Sequence, residues 1–304
     1  MVVVLFGVSI VAFVLMHELP GDYAQVLGGA DVALSPQALA RLRHEAGLDQ
    51  PLWVQYWHWA RGAVHGDLGR SLITHDAVAP ELLSRLGVTA ELATVASLMA
   101  LLAGAATGLL SARLRGKVEG IVRGFNGLSF AVPSFVVATM IVLLGGLYAH
   151  GLWLFDYQSL IADPAANLKS LVLPACSLAL AMSAVISENT RAAVLEVANQ
   201  DYVLVARAKG LTPSTVLRRY LLRSALTPVI TVAGLQFAGL LGGTIVIEAI
   251  FNIPGIGQYL YQSVTLRDYP VIQGVVLIVA VCVILVNLVV DIAYARADAR
   301  VVYE

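Results

Sequence analysis

Charge is what this sequence has least of. Only 13% of its 304 residues are Asp, Glu, Lys or Arg, against roughly 25% in soluble globular chains. With 59% hydrophobic residues and a mean hydropathy of +0.81, that deficit points to lipid as the solvent. A net charge of −1 lacks the basic footprint of a nucleic-acid binder. Cysteine is nearly absent, and Cys176 and Cys282 both lie in apolar runs, which suits small core residues better than a disulfide or a metal pair. The histidines at His17, His44, His58, His65, His75 and His150 show no HxxxH or paired Cys/His spacing, so no metal site is expected. There is no G-x-x-x-x-G-K-[ST] run: Gly116-Lys117 is followed by Val118 and lacks the upstream glycine. Nothing in the chain is therefore expected to cradle ATP phosphates. No internal repeat, chain of central acids or nucleophile–base spacing is found, so no catalytic residue is assigned.

Long apolar runs are abundant. Six stretches, roughly 2–19, 90–111, 122–148, 171–190, 225–249 and 271–294, approach or exceed the length of about 20 residues that crosses a bilayer as helix. The first has no basic start and no small-x-small cleavage site, and it ends in His17-Glu18-Leu19-Pro20-Gly21-Asp22. It reads as a retained span, and the missing basic leader suggests that Met1 starts late or that a short segment precedes it. Positive charge sets the orientation. Arg113, Arg115, Lys117 and Arg123 fill the loop 112–123; Arg191, Arg207, Lys209, Arg218, Arg219 and Arg223 fill 190–224; Arg296 and Arg300 lie in the tail. The opposite short loops hold only Lys169 and Arg267. By the positive-inside rule both termini lie in the cytoplasm.

The segment 20–87 is then an extracytoplasmic module ahead of a transmembrane domain at 88–294, with 295–304 as a cytoplasmic tail. Its Ser35-Pro36-Gln37 suits a helix start. Trp53, Tyr56, Trp57 and Trp59 form the kind of aromatic cluster that favours a membrane–water interface, with the seating of an external partner as the alternative. Gly66-Asp67-Leu68-Gly69-Arg70-Ser71 reads as a turn before the next span. In the loop 251–270, Phe251-Asn252-Ile253-Pro254-Gly255-Ile256-Gly257 has a proline and two glycines that break a helix, and its apolar residues suit a fold back toward the membrane. Glu91, Glu188, Glu248 and Asp291 lie near span ends, where solvated or helix-capping carboxylates are expected. Asn126 and Pro133-Ser134 in the third span suit either a polar cavity or a kink and helix contact.

The most informative stretch is the charged island Asp201-Tyr202-Val203-Leu204-Val205-Ala206-Arg207-Ala208-Lys209-Gly210. As a helix it places Tyr202, Ala206 and Lys209 on one face, with Val205 beside them. Asp201 suits the positive end of the helix dipole, and Gly210 suits the C-cap. Leu211-Thr212-Pro213 ends the segment. Such a knob can enter the groove of a cytoplasmic protein through its small Ala face, or it is an ordinary basic connector; physics alone leaves both open.

The same run resembles the cytoplasmic EAA-type loop of dipeptide/oligopeptide (and nickel) ABC-transporter permeases. Four further stretches resemble that family in order: Leu19-Pro20-Gly21-Asp22; Gly66-Asp67-Leu68-Gly69 through Ser71-Leu72; Glu248 through Gly257; and Arg267-Asp268-Tyr269-Pro270, followed by Val289-Val290-Asp291 and Tyr294. The likeness covers nearly the whole chain. It implies an all-α polytopic permease of six transmembrane helices with the type I ABC importer fold, in the cytoplasmic (inner) membrane. It also implies a second homologous permease, two ATP-binding subunits carrying ATP and Mg, and an extracytoplasmic substrate-binding protein, with no nucleic-acid partner. Asp201, Tyr202, Ala206, Arg207, Lys209 and Gly210, within a coupling segment 200–213, would meet the ATPase subunits. Phe251, Asn252, Pro254, Gly255 and Gly257 are candidates for an extracytoplasmic gate or loop. Peptides are the implied cargo, with nickel, haem or another small ligand as alternatives. An ion-coupled secondary transporter or an intramembrane enzyme would need site features that the sequence lacks.

Three positions depart from the family's pattern. Leu204 stands where Arg is usual, Glu188 where a base is usual, and Ala299 where Pro is common. Glu188 is expected either to pair with Arg191 at i, i+3 or to face an aqueous cavity.

Overall fold

Lipid offers no hydrogen bonds, so an apolar run that enters it must satisfy its amides within itself, as a helix does. The computed structural model describes residues 2–18, 49–114, 116–148 and 156–297 and isolated positions between 37 and 44. Side chains 2, 15–18, 223–224, 226–227 and 293–297 are outside the described set. The expected cap at Ser35-Pro36, the Leu19-Pro20-Gly21-Asp22 stretch, most of the segment 20–48 and the 298–304 tail therefore lie outside the described residues. What is described is helical, with one isolated bridge between Arg70 and Ala77. The helices are α1 (Val2–Glu18), α2 (Leu52–Val64), α3 (Val78–Arg113), α4 (Lys117–Ala131), α5 (Ser134–Tyr148), α6 (Pro164–Ala198), α7 (Asp201–Ala208), α8 (Pro213–Val216), α9 (Leu222–Gly243), α10 (Ile245–Phe251), α11 (Ile256–Leu266) and α12 (Tyr269–Ala297).

Three of these, α3, α6 and α12, are long and apolar enough to cross a membrane singly. The third and fifth expected spans are instead bent pairs. α4 and α5 meet at 94° and the Pro228–Gly243 part of α9 meets α10 at 57°, while α1 is a shorter apolar helix. The straight span drawn over 122–148 is thus corrected. Pro133 has no amide hydrogen, so Val132 leaves the helix in extended geometry and a new helix begins at Ser134. The kink reading of Pro133-Ser134 is the one observed.

The described residues form two compact units, one from 1–89 with 254–284 and one from 90–253 with 285–304. In the first, Leu68, Val78, Leu82, Ile256, Val271 and Val275 form the core. Two of the motifs from the sequence, nearly two hundred residues apart, meet here. The Ser71 hydroxyl donates to one Asp268 carboxylate oxygen, and the Leu72 amide donates to the other at 3.2 Å. Asp67 accepts from the Gly69 amide at 2.9 Å, and Gly69 takes φ +85°, open to glycine at little cost. Thr89 Oγ1 accepts the Ile256 amide at 2.9 Å, tying the start of α11 to α3.

In the second unit, α6 is the common neighbour of α4, α5, α9 and α10. It starts with Asp163 accepting from the Ala165 and Ala166 amides at 3.0 Å and Pro164 in the first turn. α3 approaches α6 at two glycines one turn apart. A Cβ on Gly104 would lie 2.7 Å from Ile186 Cβ, and one on Gly108 would lie 2.4 Å from Ser187 O. This Gly-x-x-x-Gly spacing lets helix backbones approach closely in a membrane. Beside it, Asn126 Nδ2 donates to Ser187 Oγ at 2.8 Å, and the Thr107 hydroxyl lies 3.0 Å from that same oxygen. Asn126 therefore serves a helix contact.

Gly108→Val should lower the melting temperature of the solubilised protein, because overpacking at a backbone contact costs about 1–3 kcal/mol. Gly124→Ala, at a helix position with nothing within 4 Å, should not lower it and should raise it slightly, since Ala is the better helix former. Equal melting of the two variants would contradict the contact.

Candidate functional site

α6 runs past the expected span end at 190 and continues to Ala198, so the basic segment that follows stands on a rigid stalk. Asn199 and Gln200 turn the chain, and α7 begins with Asp201 in its first turn, where a carboxylate opposes the positive helix end. α7 ends as its glycine requires. Gly210 has φ +79°; its amide donates to Arg207 O at 2.9 Å, and the Leu211 amide reaches Ala206 O at 3.4 Å. These two bonds form a Schellman cap. Thr212 then caps α8, accepting from the Thr215 amide at 3.4 Å, with Pro213 in the first turn. A five-residue π-helical turn, Leu217–Leu221, leads into α9.

The inner face of α7 is Val203 and Ala206, 0% and 4% exposed. Val203 packs with Ala193, Val194, Val216, Leu221 and Ala225. This corrects the expectation that the small Ala face meets a partner: at i, i+3 spacing Ala206 shares the side of Val203, and both are turned into the chain's own core. The outward residues are Asp201, Tyr202, Leu204, Val205, Arg207 and Lys209. The Tyr202 ring lies 6.2 Å from that of Tyr220 in the π turn. Leu204, the departure from the family's Arg, adds apolar surface to this outer face. Arg218 and Arg219 are exposed a short way along the chain. The arrangement is a short, rigidly capped helix with an apolar patch edged by cations.

The Glu188 departure resolves into a crossed pair of ion pairs between α4 and α6. Glu188 does not bond Arg191. Its carboxylate lies 3.9 Å from Arg123 Nε, and Arg191 Nη2 donates to Glu119 Oε1. On each helix the acid precedes the base by one turn, and the two helices run antiparallel here, so the two pairs form side by side. The outer pair is about half exposed and contributes little, while the Glu119–Arg191 pair is more sheltered.

The other candidate loop is a designed stop rather than an irregular break. Asn252 takes φ +54°, and the Ile253 amide closes back on Glu248 O at 2.9 Å; asparagine is one of the few non-glycine residues that tolerates this region. The proline and glycines expected to break the helix therefore come after the break. Gly255 is extended ahead of α11, which occupies most of the expected loop. Phe251 and Gly257 are buried, Asn252 is exposed and Pro254 is half-buried. Glu248 is fully buried, which excludes the solvated one of the two expected settings; it lies in the first turn of α10, the positive end of that helix, in keeping with the helix-capping one. Near the start of α6, Glu91 Oε2 accepts from Tyr157 OH and Asn167 Nδ2, both at 3.0 Å. Burial, followed by the Glu91 carboxylate, pushes the Tyr157 phenol up to about 12, so it remains the donor at neutral pH. Among the described residues, no three His, Cys, Asp or Glu side chains gather as a metal site would need.

Long apolar helices, polar side chains spent on helix contacts and a capped helix on a basic segment define a polytopic membrane protein. Comparison with known proteins gives the family. Residues 101–303 match the binding-protein-dependent transport system inner membrane component, and residues 1–93 match the N-terminal region of such membrane components. The chain belongs to this family of ABC-importer permeases. It is 37% identical over 306 aligned positions to the glutathione transport system permease protein GsiC of Escherichia coli (strain K12), covering 99% of this chain and 95% of the relative. The GsiC of Shigella flexneri serotype 5b (strain 8401) gives the same identity and coverage. Two solved structures share the fold at 18% identity. They are an amino acid ABC transporter with histidines (TM-score 0.55, 71% of this chain, 94% of that one) and the inward-facing MetNI methionine ABC transporter (TM-score 0.56, 71% and 96%).

Sequence reasoning passed over the Gly104/Gly108 contact, although the Gly-x-x-x-Gly spacing inside an apolar run was a usable signal. It had no signal for the crossed ion pairs. Gly210→Val should loosen α7, since a β-branched residue in left-handed geometry costs about 1–2 kcal/mol. Amide exchange over 201–211 should rise by about tenfold while that of α6 stays the same. Unchanged exchange would show that the cap does not hold the helix.

Proposed function

We propose that this chain forms, with a second homologous permease, the path by which a glutathione-sized peptide crosses the inner membrane. The peptide is delivered by an extracytoplasmic binding protein and moved by two ATP-binding subunits, which carry the ATP and Mg. Full-length identity of 37% to permeases named for glutathione transport supports a short peptide over nickel or haem. The observation that carries the coupling reading is the outer face of α7. Tyr202, Leu204 and Val205 are exposed apolar residues on a helix whose opposite face is locked into its own core. Water is a poor neighbour for that patch, and a groove on an ATP-binding subunit covers it. Arg207 and Lys209 border it, and Gly210 and Ala206 hold it in place from behind. The positive charge in the same segment supports cytoplasmic termini.

In this reading ATP binding draws the two permeases' α7 helices together, and α6 and α9, which share their core with α7, switch the path between inward-facing and outward-facing forms. The chain contributes binding and movement, not catalysis. Residues 251–257 are proposed to border the path on the outer side, where the buried Phe251 and the Asn252 stop fix the end of α10.

Co-expressing the chain with its ATP-binding subunits and second permease tests this. Tyr202→Asp with Leu204→Asp should abolish copurification of the ATP-binding subunits and reduce uptake of labelled glutathione at least about tenfold, the effect of about 1.4 kcal/mol at the contact. Wild-type assembly and uptake in that variant would overturn the coupling role. Normal assembly without glutathione uptake by the wild type would overturn the substrate alone.

A further inference from the structure

α2 is a helix whose apolar arc is wider than anything among the described residues covers. At about 100° per residue, Trp59, Tyr56, Ala60, Trp53, Val64 and Trp57 occupy one continuous arc of roughly 160°. Gln55, His58 and His65 occupy the opposite side together with one apolar residue, Val54, and Arg61 stands at the edge. The Tyr56–Trp59 half of that arc packs on α1. Tyr56 OH lies 2.8 Å from Ser9 Oγ, and its ring meets those of Phe6 and Phe13 edge-on at 6.3 and 5.5 Å. Trp59 meets Phe13 at 6.3 Å. The other half has no cover among the described residues: Trp53 is 74% exposed, Trp57 66% and Val64 86%.

We propose that α2 lies in the plane of the membrane, with Trp53, Trp57 and Val64 set into the boundary between lipid headgroups and acyl chains. Several observations favour lipid as the occupant. α1, on which α2 rests, presents Val3, Val4, Phe6, Val11 and Val14 outward, so the Trp face continues an apolar surface that lipid already suits. Tryptophan carries a large apolar body and one N–H donor, the chemistry enriched at that boundary. α2 contains no acidic residue, and Arg61 beside the Trp face is placed to reach anionic headgroups while its stem stays in the apolar layer. The polar residues on the far side of the helix then remain in water, as in helices that lie on a membrane. This goes beyond the transport reading and does not depend on it.

The test uses the full chain in lipid nanodiscs with Trp59 and Trp153 replaced by Phe, which leaves Trp53 and Trp57 as its only tryptophans. Lipids brominated close to the headgroup should quench the emission strongly, and lipids brominated near the chain ends should quench it less. Emission insensitive to both lipids, or quenched more by the deep bromines, would overturn the placement. In the assembled transporter, a photoreactive phenylalanine at position 57 should form lipid adducts, and one at position 58 should form none. A cross-link from position 57 to a protein subunit would assign the face to that partner and sink the proposal.

Discussion

Two absent side chains decide how the second unit is built. Because Gly104 and Gly108 have no Cβ, α3 can lie with its backbone almost against that of α6, where an added carbon would meet Ser187 O at 2.4 Å. Between helices in a membrane, dispersion at such contacts replaces the hydrophobic drive that water supplies elsewhere. The contact also gathers the local polar groups. Ser187 lies at the glycines' level and receives Asn126 from α4, with Thr107 alongside. α6 is thereby fixed from two sides before it emerges as the stalk beneath α7. α9 and α10 complete its surroundings, so α6 is the strut that these helices share.

The two ends of that strut are held by different chemistry. At one, Glu91, Tyr157 and Asn167 form a neutral-donor cluster around a single carboxylate oxygen, with Asp163 capping the helix beside it. At the other, the Glu119–Arg191 and Arg123–Glu188 pairs join α6 to α4. The unusual acid at Glu188 is compensated by Arg123 at the same level of the neighbouring helix.

What was legible in the sequence was local or compositional. Helix content followed from the apolar runs, and the Gly210 cap followed from one residue's freedom at positive φ. Hydropathy measures polarity along the chain and carries no direction, so it ran the third span straight through Pro133 where the chain turns by 94°. It likewise left Glu248 either solvated or capping a helix, since nearness to a span end does not reveal which side chains surround a carboxylate. Ala206 was assigned to the wrong side because the helical face that looks small and dockable is equally the face that packs best against a neighbour. The Ser71–Asp268 bond and the crossed ion pairs join residues far apart in the chain, and no local rule reaches them. Both motifs of the former were visible as separate stretches; their meeting was not.

The wide turn at Leu217–Leu221 has one more consequence. A π turn takes up more residues per revolution than the α-helix on either side, so the angular phase of side chains slips where α8 gives way to α9. A stripe of residues traced by heptad spacing from Pro213 onward therefore drifts off its face at this point. Winding these five residues as α-helix would swing the whole of α9 about its own axis by roughly a quarter turn, whereas deleting one of them lets the turn close as α-helix and keeps the face that α9 presents to α6.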